Sequence, residues 1–276
     1  MNDLQKKQLE ILKEFIRVCE KHNLRYFLVG GTCLGAARHH GFIPWDDDMD
    51  LFLTRENYQK LLKVAPQEFK EPYFFQNALT DKKFFIGYSR LRNSETTGIL
   101  KWEESLDYNN GVYIDIFVFD AFIDDKTLVA KQRRRAKFYG KLAEHYYATG
   151  EKRNWWQRLT LSVFQHTFCK VVPYETLIRL YEKELRRYEG KTDKYAMLTH
   201  DDSFLNYCDK EIIQDTIYVD YEMIKVPVPK EYDRFLTNQY GDYMQFPPVE
   251  ERGMWHGDNI IYDPDVSYKE YIKNHG

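Results

Sequence analysis

Gly30-Gly31-Thr32-Cys33-Leu34-Gly35-Ala36-Ala37-Arg38-His39-His40-Gly41-Phe42-Ile43-Pro44-Trp45-Asp46-Asp47-Asp48-Met49-Asp50-Leu51-Phe52-Leu53 is the stretch around which this chain is organised. A glycine pair opens it, and Arg38-His39-His40 forms a basic cluster. Four carboxylates then fall within five residues (Asp46, Asp47, Asp48 and Asp50), directly against an apolar run. Like charge so close to apolar sequence calls for a compensating cation. The stretch reads as a place where metal ions and phosphate meet.

Pro44 breaks whatever precedes it, and residues 49–53 read as a strand. On a strand, Asp48 and Asp50 share a face while Met49 and Leu51 point into a core. Two carboxylates about 7 Å apart along such a strand suit hard, oxygen-seeking cations such as Mg²⁺. Asp46 has the same parity beside Pro44, whereas Asp47 should face away and cap or hold a loop. Gly30 and Gly31 let the backbone approach a phosphate closely. Thr32 is expected to cap a short helix over 33–38, whose first N–H groups would face that phosphate.

Outward from this stretch, residues 3–23 predict an amphipathic helix, with Leu4, Leu9, Ile11, Leu12, Phe15, Ile16, Val18 and Cys19 on one stripe. Residues 25–29 predict a short buried strand. Thr54 is a fitting N-cap for a helix running to about Val64, which Pro66 would close. Strand-like texture follows at 73–75, 84–91, 97–100 and 112–119, the last behind an Asn109-Asn110-Gly111 turn signal. Residues 126–189 read as helices alone. A strand at 195–197, a hairpin through 217–228 and a helix over 230–240 complete the pattern. Strands mixed with helices through the first 120 residues imply an α/β or α+β core. The units expected are 1–124 as the core, 125–190 as a helical insertion or subdomain, and 191–276 packing back on the core.

Length and charge narrow the function. The 276 residues can bury a substantial core, and a formal net charge of −3 argues against bulk nucleic-acid binding. Cys19, Cys33, Cys169 and Cys208 are scattered without ligand spacing and are expected as reduced core thiols. The first residues lack the apolar core of a signal peptide and no run is long enough to span a bilayer, so a cytoplasmic protein is expected.

A two-metal clamp needs a third carboxylate. Asp115, within Val112-Tyr113-Ile114-Asp115-Ile116-Phe117, is the candidate, because a lone Asp in so apolar a strand is costly unless paired or metal-bound. The alternative is a salt bridge to a neighbouring Arg. Asp120 is expected as a turn residue at the strand's end.

A Gly-Gly turn, an Asp-x-Asp strand and a later strand-borne Asp together resemble the nucleotidyltransferase fold. The stretch from Leu34 to Asp48 is similar to the signature of the LicD family, bacterial transferases that move phosphocholine from CDP-choline to cell-surface glycans; fukutin-type ribitol-phosphate transferases share the core. Tyr113-Ile114-Asp115-Ile116-Phe117 resembles the family's second motif, and Tyr240-Gly241-Asp242-Tyr243-Met244, Pro247-Pro248 and Arg252 through His256 its C-terminal one. The chain departs from the pattern at Gly30, Cys33 and Val118.

The resemblance implies a nucleotidyltransferase-like mixed sheet and a metal-dependent phosphotransferase. It would move phosphocholine, or a similar phospho-alcohol, from a CDP-activated donor to a hydroxyl of a glycan precursor of teichoic acid, capsule or lipopolysaccharide, releasing CMP. Asp48, Asp50 and Asp115, with Asp46, would hold Mg²⁺ or Mn²⁺, and Asp115 would take the proton of the attacking hydroxyl. Gly30, Gly31, Thr32, Arg38, His39, Arg252 and His256 would face the donor's phosphates. Arg38 has a salt bridge to Asp46 or Asp47 as its alternative, and Trp45 either stacks on a ligand or anchors its loop. A nucleotidyltransferase releasing pyrophosphate is the competing enzyme reading.

Between 126 and 158, Lys and Arg far outnumber Glu144 and Glu151. Trp155-Trp156 then opens an apolar stretch to Val172. Such a segment either lies peripherally on an anionic membrane, where a lipid-linked glycan acceptor would be within reach, or packs as a buried helix with a solvated basic face.

Overall fold

The computed structural model describes all residues except 102, 104–106, 150–152, 200–206, 254–255 and 276, and the side chain of Asp258. Glu151 and Lys152 of the basic stretch, and positions 254–255 of the C-terminal motif, therefore lie outside the described residues.

Helix α1 (Asp3–Lys21) begins at a reciprocal Asn2–Gln5 capping box and buries the expected stripe. The next elements are β1 (Phe27–Leu28), α2 (Gly30–His39), β2 (Asp50–Thr54), α3 (Arg55–Glu68), β3 (Tyr73–Gln76), β4 (Ser89–Asn93), β5 (Thr97–Leu100) and β6 (Val112–Ala121). A helical stretch follows, with α4 (Lys126–Tyr146), α5 (Trp155–Val171) and α6 (Tyr174–Leu185). The remainder comprises β7 (Lys194–Ala196), β8 (Tyr207–Asp209), α7 (Lys210–Gln214), β9 (Thr216–Tyr221), β10 (Ile224–Pro229), α8 (Tyr232–Tyr240), β11 (Ile260–Asp263) and α9 (Tyr268–His275). The class is mixed α+β, as expected.

The main sheet has the order β1-β2-β6-β4-β3, and β7 and β8 extend it from the far end of β6. Only β2 and β6 run parallel; the other pairs are antiparallel. All ten residues of β6 are buried, so this strand is the spine of the core. Phe52 stacks on Phe117 at 5.3 Å and Phe119 at 4.2 Å, locking β2 to β6 by aromatic contacts between neighbouring strands. Two smaller ribbons, β9–β10 and β5–β11, stand beside this sheet.

Several boundaries differ from the sequence expectations. Helix α2 starts three residues early, at Gly30, with Val29 as its N-cap and Cys33 N–H donating to the Val29 carbonyl at 3.0 Å. Thr32 therefore does not cap the helix. Helix α3 continues to Glu68 with Pro66 in its last turn, where only the bond to the Leu62 carbonyl is forgone. Gly87, at φ +87°, breaks the expected 84–91 strand and delays β4 to Ser89. Asp120 is not a turn residue: it sits inside β6, and Arg55 donates to its two oxygens through Nε and Nη2, both at 2.7 Å.

This fork is buried, with Arg55 5% and Asp120 1% exposed. Asp120→Ala strands the guanidinium in the core and should cost about 3–5 kcal/mol, read as a lowered urea midpoint. A loss near zero would show that the pair is not a structural lock.

Candidate active site

Register places the chemistry. Asp50 on β2 lies opposite Asp115 on β6, Asp115 lies opposite Arg90 on β4, and Arg90 lies opposite Gln76 on β3. Register partners share a face of the sheet, so Asp50, Asp115, Arg90 and Gln76 form one polar row across it. Arg90 Nε donates to Asp115 Oδ1 at 2.8 Å, and its Nη1 to Glu103 Oε1 at 2.9 Å. Its guanidinium lies 3.8 Å from the Tyr113 ring centroid. Asp115 thus has the arginine bridge offered as its alternative and, on its other side, a second carboxylate.

Asp50 N–H donates to Thr32 Oγ1 at 2.8 Å, so the threonine expected as a helix cap instead fixes the start of β2. Met49 and Leu51 are buried while Asp48 and Asp50 stay half-open, which is the parity the sequence implied. Asp46 and Asp48 lie close enough for each to alter the other's ionisation. Burial first, and then its neighbours Asp50 and Asp46, push the Asp48 carboxyl well above the ordinary aspartate range. Burial and the charges of Asp115 and Asp46 do the same to Asp50, against a partial offset from Arg90. Asp46 is raised mainly by burial.

The glycine pair lies against these carboxylates. A Cβ on Gly31 would stand 2.7 Å from Asp46 Oδ2 and would displace that carboxylate. Gly30 has φ +54°, and a Cβ there would meet Asp50 Oδ2 at 3.4 Å. The positive end of α2 therefore faces the acidic cluster and eases its crowding.

Helix α1 holds the loop that carries the aspartates. Gln5 Nε2 donates to the carbonyls of Ile43 at 3.2 Å and Asp46 at 3.0 Å, and Gln8 Nε2 donates to that of Asp47 at 3.0 Å. Asp47 anchors a loop, as expected, although one of its oxygens stays within 4.8 Å of an Asp48 oxygen. Its oxygens accept the backbone N–H groups of His256 (3.1 and 3.2 Å) and Gly257 (3.1 Å), and the His256 ring lies 3.3 Å away. Burial would raise the Asp47 carboxyl, but these bonds and the nearby imidazole hold it below its ordinary value.

Arg38, His39 and Arg252 gather at the other end of α2. Arg38 Nη1 donates to the carbonyls of Tyr243 at 2.8 Å and Gln245 at 3.1 Å, and its guanidinium lies 4.7 Å from the Phe246 centroid. Its alternative partners, Asp46 and Asp47, are not used. Arg252 lies over Trp45 at 5.1 Å and Phe246 at 5.5 Å, and its Nε donates to the Pro247 carbonyl. His39 packs edge-on against Trp45 and Phe246; burial and the Arg38 charge favour its neutral form. Trp45 is thus a loop anchor in this stack.

Asp46, Asp48, Asp50 and Asp115 offer only oxygen, the donor set of a hard divalent cation. Among the described residues, a compact group of possible ligand atoms, all within 4.8 Å of one another, is Asp47, Asp48 and His256. Because Asp47 is already engaged by two backbone N–H groups, the Asp46–Asp48–Asp50 set, whose carboxylates repel one another, is the better acceptor of positive charge. Arg90, Glu103, Gln5, Gln8 and Tyr240 were not assigned roles from the sequence. The Tyr240 hydroxyl comes within 3.8 Å of where a Gly30 Cβ would sit. The available signal was Ser89-Arg90-Leu91-Arg92, two arginines in a segment otherwise fit for burial.

Comparison with known proteins agrees with this geometry. The family model described as "LicD/FKTN/FKRP, nucleotidyltransferase domain" matches residues 23–150, which span every carboxylate of the site. Residues 23–150 therefore match the LicD family model, the family whose signature the motifs resemble. The chain is 28% identical over 259 residues, 90% of its length and 92% of the relative's, to the lipopolysaccharide cholinephosphotransferase LicD of Haemophilus influenzae. Shorter similarities reach an uncharacterized Rickettsia prowazekii protein (38% over 58 residues, 21% of this chain and 22% of that one) and human ribitol 5-phosphate transferase FKRP (46% over 48 residues, 17% and 10%).

Raised carboxyls carry a sign. A folded protein that binds protons on Asp48 and Asp50 more tightly than the unfolded chain loses stability as pH rises from the ordinary 3.8 through the raised range. Asp48→Asn should therefore raise the thermal midpoint in EDTA at neutral pH by about 2–4 °C, with the gain vanishing toward pH 4. Mg²⁺ should stabilise the wild type more than the variant. An Asp48→Asn midpoint below wild type in EDTA would contradict the repulsive cluster.

Proposed function

We propose that the protein is a metal-dependent phosphotransferase. It moves phosphocholine, or a similar phospho-alcohol, from a CDP-activated donor to a hydroxyl of a cell-surface glycan precursor. The observation that carries this reading is the register pairing of Asp50 with Asp115, with Asp46 and Asp48 pressed against the start of the same strand. The likeness to a lipopolysaccharide cholinephosphotransferase over 90% of the chain supports the substrate class. The nucleotidyltransferase-like core belongs to the same proposal, supported by the description of the matching family model.

Asp48, Asp50 and Asp115, with Asp46, are the residues that would hold Mg²⁺ or Mn²⁺. When bound, the ion neutralises charge on the diphosphate. The acceptor oxygen attacks the phosphorus nearer the alcohol; that phosphorus–oxygen bond forms as its bond to the bridging oxygen breaks, and CMP leaves with the electron pair. Arg90 occupies Asp115 Oδ1, so the hydroxyl proton passes to Oδ2. Arg90 is a positioning residue, clamped by Glu103 and stacked on Tyr113. Arg38 and Arg252 lie close enough to repel each other, a cost that an anionic diphosphate would relieve, and Gly30, Gly31 and Thr32 set the facing backbone.

A panel of CDP-alcohols with Mg²⁺, scored for CMP release with and without EDTA, tests this. At least one donor should give EDTA-sensitive CMP. Asp50→Asn and Asp115→Asn should each lower kcat by about three orders of magnitude with folding retained. Pyrophosphate release from a nucleoside triphosphate, without CMP from any donor, would replace this reading with nucleotide transfer.

A further inference from the structure

Helix α5 is apolar on two opposite sides, but only one is used inside the protein. Its inner side carries Leu161, which is buried, and Phe164 and Phe168, which stack on each other at 5.1 Å. Phe168 packs against the Ala143–Tyr174–Leu177 cluster. Gln165 Nε2, on this side, donates to the carbonyls of His145, Tyr146 and Ala148 at 3.0–3.3 Å and so caps the end of α4. The helix is therefore firmly seated, although Leu161 is its only buried residue. This overturns the expectation that the helix is buried in a subdomain.

The outer side exposes Trp155 (62%), Trp156 (59%), Leu159 (48%) and Val163 (54%). At about 100° per residue these four fall within one arc of roughly 100°. Four large apolar side chains, two of them stacked indoles 3.7 Å apart, make a contiguous exposed patch rather than scattered surface residues. The surrounding charge is mostly positive. Residues 126–170 hold eleven Lys or Arg against Glu144 and Glu151, in a chain whose formal net charge is −3. On α4, Lys131, Arg134, Arg135 and Lys141 share an exposed face with Phe138, itself 59% exposed.

We propose that the outer face of α5, with the basic face of α4, docks on the surface of an anionic phospholipid bilayer. Paired indoles favour the headgroup boundary, and the basic helix supplies attraction to anionic lipid. A second copy of this chain is disfavoured as the occupant, because it would bring two strongly positive segments together. The helix lies flat rather than inserting: among the described residues no helix is long and apolar enough to cross a membrane. The proposal stands on this surface alone, independently of the transfer reaction.

Co-sedimentation with phosphatidylcholine vesicles, with and without about one-third phosphatidylglycerol, tests it. The protein should bind the anionic vesicles, and lose binding as salt rises. Trp155→Ala/Trp156→Ala/Leu159→Ala should lower partitioning about tenfold or more, with an unchanged thermal midpoint. Lys131→Glu/Arg134→Glu/Arg135→Glu should do the same through charge alone. Equal binding to neutral vesicles, or no loss in the first triple variant, would overturn the proposal. So would a solution dimer that the first triple variant converts to monomer, since the face would then belong to a second copy.

Discussion

Carboxylate crowding at the head of β2 is the constraint to which the surrounding structure answers. Asp46, Asp48 and Asp50 are placed where burial and mutual repulsion both oppose their ionisation, and Asp115 closes the group from the next strand. Left free, such groups would move apart into solvent. The side-chain amides of Gln5 and Gln8 prevent this by holding the loop's carbonyls, and Asp47 prevents it by gripping the backbone at His256 and Gly257. The positive end of α2 and the guanidinium of Arg90 then offset part of the charge. Stability is thus given up locally and recovered in the surrounding contacts, as expected where charge is kept ready for a cation.

The two aspartates of β6 show how one strand separates structure from chemistry. Asp120 has both oxygens taken by the Arg55 fork, so its charge is fully answered within the protein. Asp115, five residues earlier, shares Arg90 with Glu103 and faces Asp50 across the parallel pair. A closed ion pair has no capacity to spare, whereas a carboxylate set against another carboxylate does. Apolar context marks both residues as costly, and only the register between strands tells which cost is a lock and which is a site.

That distinction explains what was legible in the sequence. Alternation on β2 correctly separated Asp48 and Asp50 from Met49 and Leu51, because parity is a local property of the strand. The β9–β10 hairpin and the helical stretch after residue 126 were legible for the same reason. The true start of α2 was not, because it depends on the positive φ of Gly30, and Thr32 was misassigned with it. Gln5 and Gln8 carried no local signal, and Arg90 only that of an arginine in a segment fit for burial; their partners lie 25 to 41 residues away. The β5–β11 pairing joins residues farther apart still; β5 was legible at 97–100, whereas the short β11 was not.

Helix α2 joins the two halves of the site. Its first turn meets the acidic cluster, and its last turn carries Arg38 and His39 into the stack with Trp45, Phe246 and Arg252. Ten residues of helix span about 15 Å, so the acidic and basic groups are held apart by a rigid spacer rather than neutralising one another. This matters because Arg38, placed next to Asp46, would form a closed pair like Arg55–Asp120 and leave less of the cluster's charge unanswered. The segment that completes the basic end, from Tyr243 to Arg252, lies beyond residues 23–150 of the matched domain, while all four carboxylates lie within them. The acidic cluster and the C-terminal part of its basic frame are therefore carried by different parts of the chain. They are brought to one place by the bonds of Arg38 to Tyr243 and Gln245 and of Asp47 to His256, so a change in the C-terminal segment reaches the acidic cluster through Asp47.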